Sequence, residues 1–172
     1  SAMVKSAYSA GKPALGVGPG NVPCYINKNV DLERACTDLI ISKTFDNGMI
    51  CASEQAVIVD REISDQFEAI MKKYGCYFLN DQETELVTKY VINLDKMAVN
   101  PAVVGKPAAE IAQKAGISVP AGTKILLAKL PKPSREYPLS LEKLSPVLAY
   151  FICEDEKQGF EYASAMLELG GL

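Results

Sequence analysis

The sequence predicts an α/β domain of three layers, in which helices cover both faces of a mainly parallel sheet. Short apolar runs alternate along the chain with amphipathic helical segments. Such continuous apolar runs are typical of strands covered on both faces, and their alternation with helices favours a parallel sheet. The chain has 172 residues, of which 48% are hydrophobic and 23% charged, enough for one domain with a substantial core.

The individual elements follow from local patterns. Asp31 is placed to cap a helix, and Gly116 to end one. Residues 1–20 contain two glycine-rich runs and are predicted to be a flexible entry without regular structure. The stretch 130–144, rich in proline and charge, is predicted to be a long loop. Strands are predicted at 22–26, 55–59, 76–79, 124–128 and 147–152, and helices at 31–45, from about 64 to 74, at 83–91, 107–116 and 156–169.

Composition excludes several classes of function. A net charge of −3 and a pI near 5.1 provide no basic surface, so a nucleic-acid partner is not expected. No apolar run approaches the roughly 20 residues of a membrane helix, so no membrane partner is expected. The chain has no histidine, which rules out a Ser-His-Asp triad, a Cys-His pair and histidine-ligated zinc. No metal site is predicted.

Cysteine chemistry remains open. The five cysteines form no CxxC pair, and their odd number suits free thiols in a reducing cytoplasm. A cysteine is more often a small buried hydrophobe than a nucleophile. That description fits four of the five, which begin or lie within apolar segments: Cys24, Cys36, Cys76 and Cys153. Cys51 lies instead in a turn between a predicted helix and a predicted strand, where it is expected to be exposed at the rim of the sheet.

The glycine run at 16–20 is predicted to form a tight turn where two backbone segments approach closely. A dinucleotide-binding loop follows a strand and opens a helix, whereas this run precedes a predicted strand. Phosphate binding by this segment is therefore not expected.

Three segments resemble the aldehyde dehydrogenase superfamily in the same order along the chain. Residues 45–51 have the form Phe-x-x-Gly-x-x-Cys, which is similar to the superfamily's nucleophile motif and puts Cys51 at its catalytic position. Residues 15–23 are similar to the segment that follows the cofactor domain. Residues 142–147 are similar to a Glu-x-x-Gly-Pro-Val motif, with Ser145 in place of glycine. The runs at 11–18, 43–48 and 50–55 are typical of the CoA-acylating branch, and resemble the aldehyde dehydrogenase part of bacterial bifunctional aldehyde-alcohol dehydrogenases.

The resemblance implies a function. Residues 3–172 would be the cysteine-bearing catalytic domain, and the NAD-binding domain would lie outside this chain. Cys51 would be the nucleophile, and Glu142 would bond the nicotinamide ribose hydroxyls. The expected reaction converts acetaldehyde, CoA and NAD reversibly to acetyl-CoA and NADH, as in alcohol fermentation. Besides CoA and a small aldehyde, the expected partners are the cofactor-binding half of the same protein and further copies of it in a homo-oligomer.

One departure from the hydrolytic members favours the acylating branch. Those members carry a glutamate that activates water, and Gly16 occupies the matching position here. Without that base, water is a poor nucleophile toward the acyl-enzyme, whereas a thiol such as CoA can remove the acyl group itself. The asparagine expected beside the nucleophile has no identifiable counterpart in this sequence.

Two other functions remain open from the residues alone. One is a nicotinamide-independent cysteine acyltransferase on an α/β scaffold. The other is a structural module of a larger assembly, in which Cys51 is inert.

Overall fold

The computed structural model describes residues 2–16 and 20–171, and its centre is a five-stranded sheet. The strand order is β1-β2-β7-β6-β3, and every neighbouring pair is parallel. A short antiparallel ribbon, β4 with β5, lies apart from this sheet. The strands are β1 (Pro23–Ile26), β2 (Ala56–Asp60), β3 (Cys76–Leu79), β4 (Ile92–Asn93), β5 (Ala98–Val99), β6 (Ile125–Lys129) and β7 (Val147–Cys153).

Helices cover both faces of the sheet, which confirms the predicted fold class. On one face, α2 and α3 pack against Val57 and Val59 of β2. On the other face, α4, α5 and α6 pack against Ala56 and Ile58 of the same strand. Alternate residues of one strand thus enter two separate cores, which is why the strands are apolar throughout. The helices are α1 (Ala2–Ser9), α2 (Leu32–Thr44), α3 (Arg61–Lys73), α4 (Asp81–Val91), α5 (Ala108–Ala115) and α6 (Glu156–Leu169).

Local signals set most helix ends. Asp31 accepts a hydrogen bond from Arg34 N at 3.2 Å and caps α2, as predicted. Asn80 and Glu83 form a reciprocal capping box at α4. Gly116 adopts the left-handed conformation (φ 83°) after α5, also as predicted, because a residue without Cβ reaches it at little cost.

Three predictions of local structure were wrong or incomplete. Residues 2–9 form α1, because the first glycine comes only at Gly11 and the preceding segment contains good helix formers. α3 begins at Arg61, directly after β2, rather than at Ser64, whose hydroxyl instead donates to Arg61 O at 2.9 Å. The β4–β5 ribbon was not predicted. Residues 17–19 of the predicted glycine turn lie outside the described residues.

The long loop predicted at 130–144 is present, with a single 3₁₀ turn at Pro138–Ser140. Its polar composition conceals buried residues, since Leu139, Leu141 and Lys143 are all almost fully inaccessible to solvent. Within the described ranges, no helix is long and apolar enough to cross a membrane.

Candidate active site

The segments that carry Cys51 and Glu142 lie at the same end of the sheet. Cys51 lies five residues before the start of β2, and Glu142 lies five residues before the start of β7. Because β2 and β7 are neighbouring parallel strands, the segments that enter them meet at one edge. This edge is formed by the amino ends of the strands, whereas ligands in open parallel sheets usually bind at the carboxyl ends. The tertiary structure thus brings to one edge two segments whose residues Cys51 and Glu142 are 91 positions apart in sequence.

A left-handed turn leads from α2 to Cys51. Asp46 (φ 49°), Asn47 (φ 50°) and Gly48 (φ 67°) are three consecutive residues with positive φ. Asp and Asn tolerate this conformation better than other residues with a Cβ. Asn47 also donates from Nδ2 to Gly105 O at 3.0 Å, which ties the turn to the chain after β5. Three such residues in a row are unusual, and strained backbone of this kind is frequent at functional sites.

Gly48 is required by space as well as by conformation. A Cβ built there would lie 3.0 Å from Ser145 O and 3.1 Å from Lys43 Nζ. Nothing larger than a hydrogen fits without moving backbone, so the turn sits directly on the segment that follows Glu142. The glycine of the Phe-x-x-Gly-x-x-Cys pattern therefore allows the two segments to touch.

Cys51 is the exposed thiol among the five cysteines. It lies in a tight turn that Ser53 N closes by donating to Ile50 O at 2.8 Å. Its carbonyl oxygen packs against Gly20, where a Cβ would approach to 3.3 Å. Gly20, which belongs to the segment that resembles the superfamily, thus lies beside the cysteine.

The other four thiols are poorly suited to act as nucleophiles. Burial raises the pKa of Cys24 and of Cys36 to about 11. Burial also raises the pKa of Cys76 and of Cys153 to about 12, with the carboxylate of Asp60 contributing at Cys153. Since the thiolate is the nucleophilic form, these four are almost entirely protonated and unreactive at neutral pH.

Glu142 is half-buried, and burial raises its pKa above the ordinary value. The positive charges of Lys143 and Lys43 oppose that shift. The backbone next to Glu142 is fixed by two bonds: Lys143 N donates to Gln55 Oε1 at 2.8 Å, and Gly105 N donates to Leu144 O at 3.0 Å. A carboxyl group held in this way is a suitable acceptor for two neighbouring hydroxyls, such as those of a ribose.

An apolar cleft of about 310 Å³ lies against the cysteine turn. Phe45 is 66% exposed, Ile41 69% and Ile50 41%, an unusual concentration of exposed apolar surface beside one thiol. The cleft is lined by Ile41, Ser42, Phe45, Ile50, Ala52 and Ser53.

Sequence reasoning missed two buried polar residues of this site. Gln55, fully buried, joins the two strand entries through its side chain, which also donates from Nε2 to Ser53 O at 3.0 Å. Lys43, also fully buried, extends beneath the cysteine turn. Both residues lie in runs typical of the acylating branch, but nothing in those runs distinguishes a buried lysine or glutamine from an exposed one.

No protein-family model matches the chain. The chain is 48% identical to the aldehyde-alcohol dehydrogenase of Streptococcus pneumoniae over 99% of its length, which is 20% of that relative. It superposes with a TM-score of 0.93 on an acetylating aldehyde dehydrogenase from Geobacillus thermoglucosidasius, at 46% identity over 99% of this chain and 37% of that one. The chain also superposes on a propionaldehyde dehydrogenase from Rhodopseudomonas palustris, which was solved with CoA bound and a cysteine acylated. The TM-score is 0.85 at 30% sequence identity, over 96% of this chain and 37% of that one.

Fold, order of motifs and these similarities define the class: the chain belongs to the aldehyde dehydrogenase superfamily. Within the superfamily it belongs to the CoA-acylating branch, and it corresponds to the aldehyde dehydrogenase part of bifunctional aldehyde-alcohol dehydrogenases. The chain spans about one fifth of the length of the aldehyde-alcohol dehydrogenases that it matches.

Proposed function

We propose that residues 3–172 are the cysteine-bearing catalytic domain of a longer NAD-dependent, CoA-acylating aldehyde dehydrogenase, with Cys51 as nucleophile. One observation carries the proposal: the exposed thiol follows a left-handed turn that packs at Gly48 against the segment after Glu142, and an apolar cleft lies beside it. The NAD-binding domain of the same protein supplies the other half of the site. The relatives that share this domain are named for aldehyde dehydrogenation with acylation.

The chemistry begins at the Cys51 sulfur. The thiolate attacks the aldehyde carbon, and a thiohemiacetal forms, whose oxyanion accepts a hydrogen bond from the backbone N–H of Cys51. Bound NAD would supply the acceptor for the hydride of this carbon, and loss of the hydride would leave a thioester on Cys51. The thiol of CoA, as its thiolate, then attacks the thioester and releases acyl-CoA and the Cys51 thiolate. In reverse, the same steps reduce acetyl-CoA to acetaldehyde.

The residues around Cys51 bind and orient the cofactor and the aldehyde. Glu142, half-buried at the same edge, would hold NAD by accepting hydrogen bonds from the nicotinamide ribose hydroxyls. The cleft lined by Phe45 and Ile50 accommodates the short alkyl group of the aldehyde. It also limits the access of water to the thioester, which favours transfer to CoA.

The likeness to acylating enzymes also supports the choice of partners. We place the protein in the cytoplasm, as a homo-oligomer acting on acetaldehyde or another small aldehyde in alcohol fermentation. Free thiols and an odd number of cysteines suit that compartment.

The test is product analysis with the full-length protein that contains this chain. Incubated with acetaldehyde, NAD and CoA, it is expected to form acetyl-CoA and NADH in equal amounts, and Cys51→Ala is expected to abolish both. Thioester exchange without NADH would identify a nicotinamide-independent acyltransferase. An active Cys51→Ala variant would show that Cys51 is inert.

The assignment of Gly16 is tested by the ratio of products. The wild-type protein is expected to release mainly acyl-CoA. Gly16→Glu supplies a carboxylate at the place of the missing base and is expected to raise the release of free acid, toward the low end of the roughly 10²–10⁴-fold that a positioned base contributes. Free acid as the main product of the wild type would refute the acylating assignment. A folded Gly16→Glu protein with unchanged products would refute only the alignment of Gly16.

A further inference from the structure

Lys43 is a buried cation with few compensating contacts. Its side chain projects from the last turn of α2 and is 0% exposed. Among the described residues it makes one hydrogen bond, from Nζ to Ser53 Oγ, at a long 3.5 Å. An ammonium has three donors, and a buried one that is poorly paired carries a large desolvation penalty. Stability alone does not explain such an arrangement.

Lys143 shows how this fold gives a buried lysine closer hydrogen-bond partners. It is also completely buried, but its Nζ donates to Leu139 O and to Leu141 O, each at 2.7 Å. Lys143 therefore serves to close the loop before β7. Lys43 has no comparable pair of carbonyl partners within residues 2–16 and 20–171, although it lies in the same region.

The position of Lys43 relates it to Cys51. Nζ lies 3.1 Å from the point where a Cβ on Gly48 would be, and 3.5 Å from Ser53 Oγ. Gly48 precedes Cys51 by three residues and Ser53 follows it by two. The ammonium thus contacts both ends of the short segment that carries the thiol.

The charges around Lys43 come from both strand entries. Glu54, before β2, and Glu142, before β7, favour the charged form of Lys43, and the charge of Lys43 in turn lowers the pKa of Lys143. Burial outweighs the two carboxylates and lowers the pKa of Lys43 to about 7. The residue therefore changes charge within the physiological range, close to the cysteine turn.

We propose that Lys43 is a positioning residue for Cys51, whose ammonium holds the Gly48–Ser53 segment and favours the thiolate of Cys51. The inference rests on the proposed function, in which Cys51 must react as a thiolate. A positive charge within about 10 Å stabilises a thiolate at a partly exposed site by a modest amount, on the order of a factor of three in the thiolate fraction. The effect exists only while Lys43 is protonated.

The experiment measures the rate of Cys51 alkylation by iodoacetamide between pH 5.5 and 9, by peptide mapping of the 172-residue chain. At pH 6 the wild type is expected to react about threefold faster than Lys43→Met, which has a neutral side chain of similar length. Above pH 8 the two rates are expected to converge, because Lys43 has lost its proton. Lys89→Met, a control at an exposed position on α4, is expected to follow the wild type throughout.

Each outcome supports or overturns the inference. A Lys43→Met chain that is less stable but has the wild-type pH profile would show a purely structural role and overturn it. If Lys43→Met does not fold, Ser53→Ala replaces it in the alkylation experiment. Loss of the hydrogen bond from Nζ to Ser53 Oγ disfavours the ammonium, so the effect of Lys43 on the alkylation rate is expected to disappear at a lower pH than in the wild type. A pH profile of Ser53→Ala that equals the wild-type profile overturns the inference. Acyl-CoA formation by the full-length protein is a separate readout. Its absence, with the pH profile as expected, would refute the proposed function and leave the effect of Lys43 on the thiol intact.

Discussion

At the scale of residues, exposure separates Cys51 from the other thiols. Cys24 is half-buried, and Cys36, Cys76 and Cys153 are buried. Iodoacetamide is expected to label Cys51 at least about tenfold faster than any other cysteine, because a pKa near 11 leaves roughly one hundredth of the thiolate that an ordinary thiol has. Peptide mapping after brief labelling measures this, with Cys51→Ser as the control. Early labelling of Cys24 or Cys153 would contradict the ranking.

Lys43 also predicts how stability depends on pH. The folded-state pKa of Lys43, about 7, lies below its unfolded value near 10.5, so between these values the unfolded chain binds the extra proton. Stability from this group therefore rises with pH across that window. From pH 7 to 8.5, the free energy of unfolding is expected to increase by about 1.5 kcal/mol more in the wild type than in Lys43→Met. Urea denaturation at the two pH values measures it, and equal increases in both chains would show that Lys43 is not the group responsible.

At the scale of elements, the left-handed turn between α2 and the cysteine is the feature to test. Asp46 is exposed, and its side chain forms no hydrogen bond to any residue that the structure describes, so a substitution there reports on backbone conformation. Asp46→Val is expected to cost about 1–2 kcal/mol of stability, because a β-branched residue strongly disfavours positive φ. Asp46→Gly, the matched control, is expected to change stability by less than about 0.5 kcal/mol, since relief of strain offsets the greater freedom of the unfolded chain. Denaturant unfolding of both variants measures these changes in stability. An equal loss of stability in Asp46→Val and Asp46→Gly would mean that the turn is not left-handed in solution.

At the scale of the whole molecule, the described links from strands of the five-stranded sheet to the helices that follow them lack a dinucleotide-binding loop. In the described part of the chain, β2 runs directly into α3, and the residues between β1 and α2, β3 and α4, and β7 and α6 include no glycine. A pyrophosphate needs close approach to backbone N–H groups at a helix start, which glycine permits. The 172-residue chain alone is therefore expected to show no NAD-dependent oxidation of acetaldehyde in an NADH fluorescence assay. The full-length protein is the positive control. Turnover by the isolated chain that disappears in Cys51→Ala would place the cofactor on this domain.

The sequence alone determined the layers of the fold, the strands of the main sheet and the loop position of Cys51, because these depend on short-range patterns. Apolar runs, the Asp31 cap and the Gly116 stop operate within a few residues. Only the tertiary structure decided the strand order β1-β2-β7-β6-β3, which brings Glu142 to the edge where Cys51 lies. It also decided that Lys43 is buried, since a lysine at a helix end is ordinarily solvated. Its burial requires the left-handed turn to fold back over the end of α2, and that fold depends on the contact of Gly48 with Ser145, 97 residues away.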